Sequence, residues 1–260
     1  MWARAILQRI TKNRINLASF PFYFILQYMK DTSVAFKTSR LLVIGASGGI
    51  GHACAVAAGK ICGTTNVTML SRAADGFDIT DEESVIKHLK ALEGSYNGII
   101  IATGGLETSG FKPEKSLRSI SSSAFEAQFK LNAIGPALVL KHIGQHLPRD
   151  RPCLIATLSA RVGSIGDNNL GGWISYRSAK AALNQIIRTA SIEFTRTHPQ
   201  SICVALHPGT VRTSLTKKYV GKNPAVFPAT AAQNILSVLA GLTPNHTGQF
   251  FDWRGDRVEW

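Results

Sequence analysis

The sequence has 260 residues, of which 45% are hydrophobic and 17% are charged, and its formal net charge is +13. This length fits one large domain, and the composition excludes a disordered, highly charged protein. The 29 Lys and Arg residues are spread along the chain rather than clustered, so the charge does not indicate a nucleic-acid-binding protein. No run of 18 or more apolar residues appears, which argues against a helical membrane protein.

Residues 1–37 differ in character from the rest of the chain. Arg4, Arg9, Lys12 and Arg14 precede any acid, and on a helical wheel the first three of them face away from the apolar side chains. Such a start is typical of a mitochondrial transit segment, so we expect a mitochondrial protein, with the cytoplasm as the alternative. The uncharged stretch Ile15–Met29 is short for a bilayer span. Membrane association of residues 1–29 or secretion is therefore not favoured, and an extension without targeting function is the remaining alternative.

From residue 38 onward, short apolar runs alternate with helical patterns, which predicts βαβ units in an α/β fold with a mainly parallel sheet. The expected strands are Arg40–Ile44, Asn66–Leu70, Gly98–Ala102, Pro152–Leu158, Ser201–Leu206 and Gly248–Phe251. The expected helices are His52–Lys60, Asp81–Leu92, Ser122–Leu147, Tyr176–Phe194 and Ala229–Leu239. Since the connection from Ser71 to Asp78 is too short for a crossover helix, we expect that second helix to be lost.

A glycine-rich turn, Gly45-Ala-Ser-Gly-Gly49-Ile-Gly51, lies between the first predicted strand and the first predicted helix. Glycines allow the backbone to approach a pyrophosphate, and the helix N-terminus offers free N–H groups and a positive dipole end. The turn therefore predicts a dinucleotide site. Because no Lys-Ser/Thr pair follows the glycines, a P-loop nucleotide hydrolase is excluded.

Three polar residues suggest proton-transfer chemistry. Tyr176 and Lys180 are four residues apart in a predicted helix and so share one face. Ser159 follows a predicted strand, which places it at the same sheet edge as Gly45. An ammonium lowers the pKa of a nearby phenol from its ordinary value of about 10, so Tyr176 could exchange a proton with a carbonyl or alcohol oxygen. Ser159 could hold that oxygen by donating a hydrogen bond, while nicotinamide supplies the hydride.

Two other combinations of residues are weaker. His142 and His146 lie one helical turn apart, but no third metal ligand is evident, so we expect no metal site. Asp167 and His207 could form a hydrolase triad with Ser159, but no G-x-S-x-G sequence surrounds that serine.

Together these residues resemble the short-chain dehydrogenase/reductase family over residues 38–260, and within it the C-factor-like branch. The segments that carry the resemblance to the branch are Ser159–Asp167, Gly171–Trp173, Tyr176–Asn184, His207–Val211, Gly248–Trp253 and Trp260. The resemblance implies a single doubly wound Rossmann domain preceded by the extension 1–37. It also implies an enzyme that interconverts a carbonyl and an alcohol, and a homodimer or homotetramer formed through the helices containing Asn132 and Tyr176.

The resemblance further implies roles for individual residues. Tyr176 would exchange the proton, Lys180 would also bind the nicotinamide ribose, Ser159 would orient the substrate, and Asn132 would anchor a water relay. If Asn132 has no such role, it is a polar residue on a solvated helix face. The expected cofactor contacts are Gly45, Ser47, Gly49, Ile50, Gly51, Ser71, Arg72, Asp78, Ile79, Ala102, Thr103, Gly104, Tyr176, Lys180, Pro208, Gly209 and Val211.

The sequence departs from the family pattern at two places. Ile44 replaces the usual threonine before the first glycine, and Ile101-Ala-Thr-Gly104 replaces the usual Asn-Asn-Ala-Gly. Neither departure removes a residue of the expected proton-transfer group. An oxidoreductase is therefore the favoured function, and the alternative is a nucleotide-binding signalling or scaffold protein of the same fold with little turnover.

The end of the second predicted strand favours NADP(H) over NAD(H). In this architecture it meets the adenosine ribose, where a carboxylate favours NAD. No acid occurs there before Asp75, whereas Arg72 can pair with a 2′-phosphate and Ser71 can add a hydroxyl donor. The segment Thr213–Phe227 is expected to close the substrate pocket. Lysines at 217, 218 and 222 would suit an acidic substrate, but a solvated basic loop is favoured.

Overall fold

The computed structural model describes residues 39–219 and 224–260. The predicted targeting segment 1–37 lies outside these residues, as does Lys222. None of the helices in the described ranges combines the length and apolar character that crossing a bilayer requires.

The described residues form one parallel sheet of six strands in the order β2-β1-β3-β4-β5-β6. The strands are β1 (Leu41–Ile44), β2 (Val67–Leu70), β3 (Gly98–Ile101), β4 (Cys153–Leu158), β5 (Ser201–His207) and β6 (Phe250–Asp252). All five pairings are parallel, with Leu41 opposite both Val67 and Gly98. The sheet order reverses direction at β1, since β2 lies on one side of it and β3 on the other. In such sheets a ligand site forms outside the carboxyl ends of the strands at this reversal.

Seven α-helices connect the described strands. They are α1 (Gly49–Cys62), α2 (Arg72–Asp75), α3 (Glu82–Lys90), α4 (Ser122–Phe129), α5 (Gly135–Ile143), α6 (Ile174–Thr197) and α7 (Pro228–Ala240). Helices α1 and α7 cover one face of the sheet, and α3, α5 and α6 cover the other. Alternate residues of β1 face opposite layers, with Leu42 packed on one side and Val43 on the other. Because both faces are covered, the strands are almost continuously apolar. The predicted doubly wound α/β domain is thus confirmed.

The first part of the connection from β2 to β3, between Ser71 and Asp78, is too short for a full helix, as predicted. A full crossover helix is replaced by the single turn α2, which begins at an N-cap on Ser71 and ends at Gly76 in the left-handed conformation. The following residues Phe77, Asp78 and Ile79 form no strand, although Phe77 and Ile79 are buried. The return to β3 is made by the next helix, α3, and this side of the described sheet ends at β2.

The long helix expected over Ser122–Leu147 is interrupted. The α-helical hydrogen bonding stops at Phe129, a π-helical segment occupies Lys130–Ile134, and α5 then runs only to Ile143. A π-helical turn inserts an extra residue into the helix and reorients the side chains beside it. Asn132 lies in this segment and is fully buried, so its alternative placement on a solvated face is wrong.

Candidate active site

The glycine turn lies at the carboxyl end of β1, against the start of the loop that follows β3. Gly45 has a φ of +85°, and a Cβ atom there would come within 2.9 Å of the backbone of Ala102 and 3.0 Å of Thr103. At Gly51, a Cβ atom would lie 2.3 Å from the carbonyl oxygen of Gly45. Only glycine fits either position, because one needs a left-handed backbone and the other needs close approach of the turn to the helix.

The first turn of α1 begins at exposed glycines and lacks a capping side chain. Its N-cap, Gly48, makes no side-chain hydrogen bond, and the turn carries no acid. The first N–H groups of a helix have no partners within the helix, and the positive end of the helix dipole lies there. Two of the expected contact residues lie here: Ser47, just before the turn, is exposed, and Ile50, inside it, is partly buried. The arrangement fits a pyrophosphate.

Helix α6 places Tyr176 and Lys180 at the carboxyl edge of the sheet, where the glycine turn also lies. The Nζ atom of Lys180 lies 6.0 Å from the ring centre of Tyr176 and donates a 3.0 Å hydrogen bond to the carbonyl oxygen of Leu158, the last residue of β4. Burial raises the pKa of Tyr176 to about 12 and lowers the pKa of Lys180 to about 8. The expected lowering of the Tyr176 pKa is therefore wrong for this structure, because burial disfavours the phenolate and dominates over the ammonium.

Ser159 is held by a residue that the sequence reasoning missed. Its buried hydroxyl donates a 2.6 Å hydrogen bond to Oδ1 of Asn184, which lies one helical turn beyond Lys180 on α6. The amide nitrogen of Asn184 donates in turn to the carbonyl oxygen of Gly163, over 3.2 Å. The four-residue spacing of Tyr176, Lys180 and Asn184 was the available signal, because residues so spaced share a helix face.

Asn132 is bonded to the backbone of the loop after β3. Its Oδ1 accepts the N–H of Gly105 at 3.0 Å, and its Nδ2 donates to the carbonyl oxygen of the same residue at 2.9 Å. A Cβ atom on Gly104 would lie 2.8 Å from Oδ1 of Asn132 and 3.4 Å from Nζ of Lys180. The backbone of Gly104, which has no side chain, therefore lies between these two polar groups. The preceding residue, Thr103, lies against Gly45 of the glycine turn, and its buried hydroxyl oxygen has no hydrogen-bond partner in the described residues.

The carboxyl end of β2 differs from expectation in one respect. Ser71 is buried and caps α2, and both its N–H and its hydroxyl donate to Oδ2 of Asp75, at 2.8 and 3.3 Å. The expectation that Ser71 is a free donor for a 2′-phosphate is therefore wrong, because the short helix folds Asp75 back onto it. Arg72 is exposed, as expected. Asp78 accepts from the N–H and hydroxyl of Thr80, and these bonds lower its pKa.

The residues after β5 border the glycine turn from the other side. Pro208 and Val211 are buried, and Gly209, with φ +79°, lies against the indole ring of Trp253. The next segment passes over the turn, since the side chain of Thr213 would touch a Cβ atom on Gly49 at 2.9 Å. The described part of the segment that is expected to close the substrate pocket therefore begins beside the glycine turn.

An aromatic wall formed by Trp173, Tyr176 and Tyr219 borders the site. The ring of Trp173 meets the rings of Tyr176 and Tyr219 edge to face, at 6.5 and 5.9 Å. The far end of this wall is held by Glu107, which accepts a 2.5 Å hydrogen bond from the Tyr219 hydroxyl and forms a 3.1 Å salt bridge with Lys218. These contacts join the segment after β5 to the loop after β3, and no sequence signal had identified them.

The sequence model described as short chain dehydrogenase matches residues 39–223. The chain belongs to the short-chain dehydrogenase family. Members of this family are oxidoreductases. The match covers the glycine turn and every residue expected to take part in proton transfer.

Two curated relatives support this placement. The C-signal protein of Myxococcus xanthus is 37% identical over 134 residues, which cover 51% of this chain and 76% of that protein. A 1-hydroxy-2-glutathionyl-2-methyl-3-butene dehydrogenase of Rhodococcus is 27% identical over 85% of this chain and its own whole length. The first similarity confirms the predicted resemblance to the C-factor-like branch.

Solved structures show the same fold. The carbonyl reductase Sniffer of D. melanogaster has a TM-score of 0.70 at 18% identity, covering 86% of this chain and 100% of that chain. A short-chain dehydrogenase/reductase from Burkholderia multivorans with bound NADP has a TM-score of 0.70 at 25% identity, covering 85% and 98%.

In this short-chain dehydrogenase, the expected site residues follow the carboxyl ends of β1 to β5 or lie on the helices beside them. Asn132, Ser159, Tyr176 and Lys180 are brought together with the loop after β3. The expected residues at the adenosine end, Ser71, Arg72, Asp78 and Ile79, lie beyond β2, where Ile79 is buried and contributes to the core instead. Trp173 and Glu107 are additional members of the site that only the structure identifies, whereas helical spacing could have indicated Asn184.

Proposed function

We propose that the chain is an NADP(H)-dependent enzyme that interconverts a carbonyl and an alcohol. The observation that carries the proposal is the meeting of Lys180 and Asn132 at Gly104, with Tyr176 on the same helix as Lys180 and the glycine turn next to Thr103. A dinucleotide cradle and a proton-transfer group are thus adjacent. A hydride transfer that requires a matching proton needs this adjacency.

The proposal assigns proton handling to Tyr176. In the direction of reduction, its phenol oxygen gives a proton to the carbonyl oxygen, and in the direction of oxidation it takes one from the alcohol. Its pKa of about 12 keeps the phenol protonated at neutral pH, which suits the donor role. Ser159 positions the reacting oxygen, and the ammonium of Lys180 stabilises negative charge on the phenol oxygen when the proton has left.

A nicotinamide dinucleotide fits the residues at the strand ends. The bare backbone at Gly45 and Gly51 and the uncapped start of α1 accommodate a pyrophosphate. When bound, the nicotinamide supplies or accepts the hydride. Arg72 is free to pair with a 2′-phosphate, and a structural relative at 25% identity has NADP bound. We therefore propose NADP(H) as the cofactor.

The substrate that fits this site is an apolar carbonyl compound. Tyr176 is part of the aromatic wall, and Ile165 and Leu170, on the segment before it, are 77% and 91% exposed. Lys218, which could have attracted an acidic substrate, is paired with Glu107. An aromatic wall and exposed apolar side chains on the segment that leads into α6 favour an apolar ligand.

The test is a reduction assay with NADPH against matched carbonyl compounds, an aryl ketone and a short 2-keto acid, followed by the loss of NADPH absorbance. We expect turnover of the ketone with kcat/KM at least about tenfold above that of the acid, because one well-buried apolar group contributes at least that factor. Equal activity on both compounds contradicts the substrate class. NADPH binding without turnover of any carbonyl contradicts the enzyme and favours the signalling or scaffold alternative.

The proposal includes a homo-oligomer formed through the two helical regions that contain Asn132 and Tyr176. Ile134 and Ile192 lie in these regions and are 48% and 46% exposed. Light scattering after gel filtration measures the assembly. Ile192→Glu should shift it toward a monomer, because it places a charge in an apolar contact.

A further inference from the structure

Helix α6, which carries Tyr176 and Lys180, begins without a capping side chain of its own. Its N-cap is Trp173, whose φ of +50° is left-handed, and its first turn contains no acid. Gly171 and Gly172 before it are also left-handed. The first N–H groups of a helix need partners from elsewhere, and a start in this conformation is strained.

Glu114, 61 residues before Ser175 in sequence, supplies those partners. One carboxylate oxygen, Oε2, accepts the N–H of Ser175 at 3.3 Å, and the backbone carbonyl oxygen accepts the N–H of Trp173 at 2.5 Å. The two contacts lie on either side of Ile174, where the helix starts. Glu114 therefore holds both the strained residue and the first turn of the helix.

The position of the Glu114 side chain is unfavourable for the stability of the fold. It is only 4% exposed, and its second carboxylate oxygen, Oε1, has no hydrogen-bond partner within residues 39–219 and 224–260. A buried and half-satisfied carboxylate reduces the stability of a fold. The positive end of the α6 dipole offsets part of this cost.

The first turn of α6 determines where the proton donor lies. Tyr176 follows Ser175 directly, and the Trp173 ring contacts the Tyr176 ring. We propose that Glu114 is a positioning residue that fixes the first turn of α6, and with it the phenol of Tyr176, for proton transfer. The expected effect on turnover rests on the proposed function, whereas the effect on the helix does not.

The test compares Glu114→Ala with Glu114→Gln, which keeps an acceptor oxygen. Hydrogen exchange, measured by mass spectrometry on peptides covering residues 172–180, reports the order of the first turn. Loss of a cap should speed exchange there about fivefold, and Gln should restore the wild-type rate. In the reduction assay, Glu114→Ala should lower kcat about tenfold with both KM values within about threefold, because misplacing a reacting group lowers the chemical step.

Glu126→Ala removes an exposed carboxylate of α4, bonded to Ser122, and serves as the matched control with no change in either measurement. Unchanged exchange in folded Glu114→Ala overturns the proposal, as does a kcat within twofold of wild type. If Glu114→Ala does not fold, a Glu114→Gln variant that loses kcat without an increase in exchange overturns it instead. If the wild type reduces no carbonyl, the proposed function fails, while the exchange data still decide whether Glu114 holds the helix.

Discussion

The hydroxyl of Ser159 donates a 2.6 Å hydrogen bond to Oδ1 of Asn184, which ties the end of β4 to the helix that carries Tyr176. This bond ties Ser159, which we propose positions the substrate oxygen, to the helix that carries Tyr176, the proposed proton donor. Asn184→Ala should therefore lower kcat about tenfold, because the serine hydroxyl loses its orientation. Gln185→Ala, which removes an exposed amide from the next position, is the control. Equal kcat values for the two variants in the reduction assay would remove Asn184 from the site.

Tyr176→Phe deletes only the oxygen atom that, in the proposed function, exchanges the proton. We expect kcat to fall by about 100-fold or more, because a positioned acid contributes at least that factor. The dissociation constant for NADPH, measured by fluorescence titration, should change little. A variant that keeps more than a tenth of the wild-type kcat contradicts the assignment.

The burial of Lys180 predicts a pH dependence of stability. Its pKa in the folded chain is about 8, below the ordinary value of 10.5, so the buried ammonium destabilises the folded state at pH values below 8. The penalty, on the order of 3 kcal/mol, is relieved as pH rises from 8 toward 10.5. Lys180→Met removes it, so the variant should be more stable than wild type at pH 7, and the difference should shrink by pH 10.

Urea unfolding at pH 7, 8.5 and 10 measures this difference, and Lys141→Met, at an exposed position, is the control. A stability difference that does not change with pH would show that folding does not lower the pKa of Lys180. The same variant should have lower kcat and weaker NADPH binding, because the proposed function has the ammonium stabilise the phenolate and the family resemblance implies that it also binds the nicotinamide ribose.

Cofactor preference should depend on the two charged residues at the end of β2. Arg72→Ala should raise KM for NADPH about tenfold and leave KM for NADH nearly unchanged, because only NADPH carries the 2′-phosphate. Asp75→Asn should act in the opposite direction. It keeps an acceptor for Ser71 but removes the negative charge beside the phosphate position. Arg118→Ala is the control for a general loss of positive charge, and a wild-type preference for NADH contradicts the cofactor assignment.

The segment before the domain should be dispensable for folding and chemistry. A chain that begins at Thr38 retains β1, the first strand of the sheet, so its Tm should lie within about 4 °C of the full-length value, which corresponds to less than about 2 kcal/mol for a protein of this size. Its kcat should be unchanged. We propose that residues 1–37 direct the protein to mitochondria, and a fluorescent protein fused to them should colocalise with a mitochondrial dye. A cytosolic signal would contradict the targeting proposal.

The sequence by itself determined the order of strands and helices, the loss of the second crossover helix and the position of the glycine turn. These depend on local signals, namely apolar periodicity and backbone requirements such as the left-handed φ at Gly45. Ser159, Tyr176 and Lys180 were also predictable, because the carboxyl ends of parallel strands meet at one edge and a four-residue spacing selects one helix face.

Contacts between distant segments could be decided only by the tertiary structure. The π-helical turn that buries Asn132 depends on the backbone of Gly105, 27 residues away. Asp75 reaches Ser71 only because a single helical turn replaces the crossover helix. Burial, which no spacing reveals, sets the direction of the Tyr176 pKa shift, and Glu114 meets the start of α6 only when the loop after β3 packs against it. Each depends on which groups folding removes from water and brings into contact, and this is a property of the packed chain.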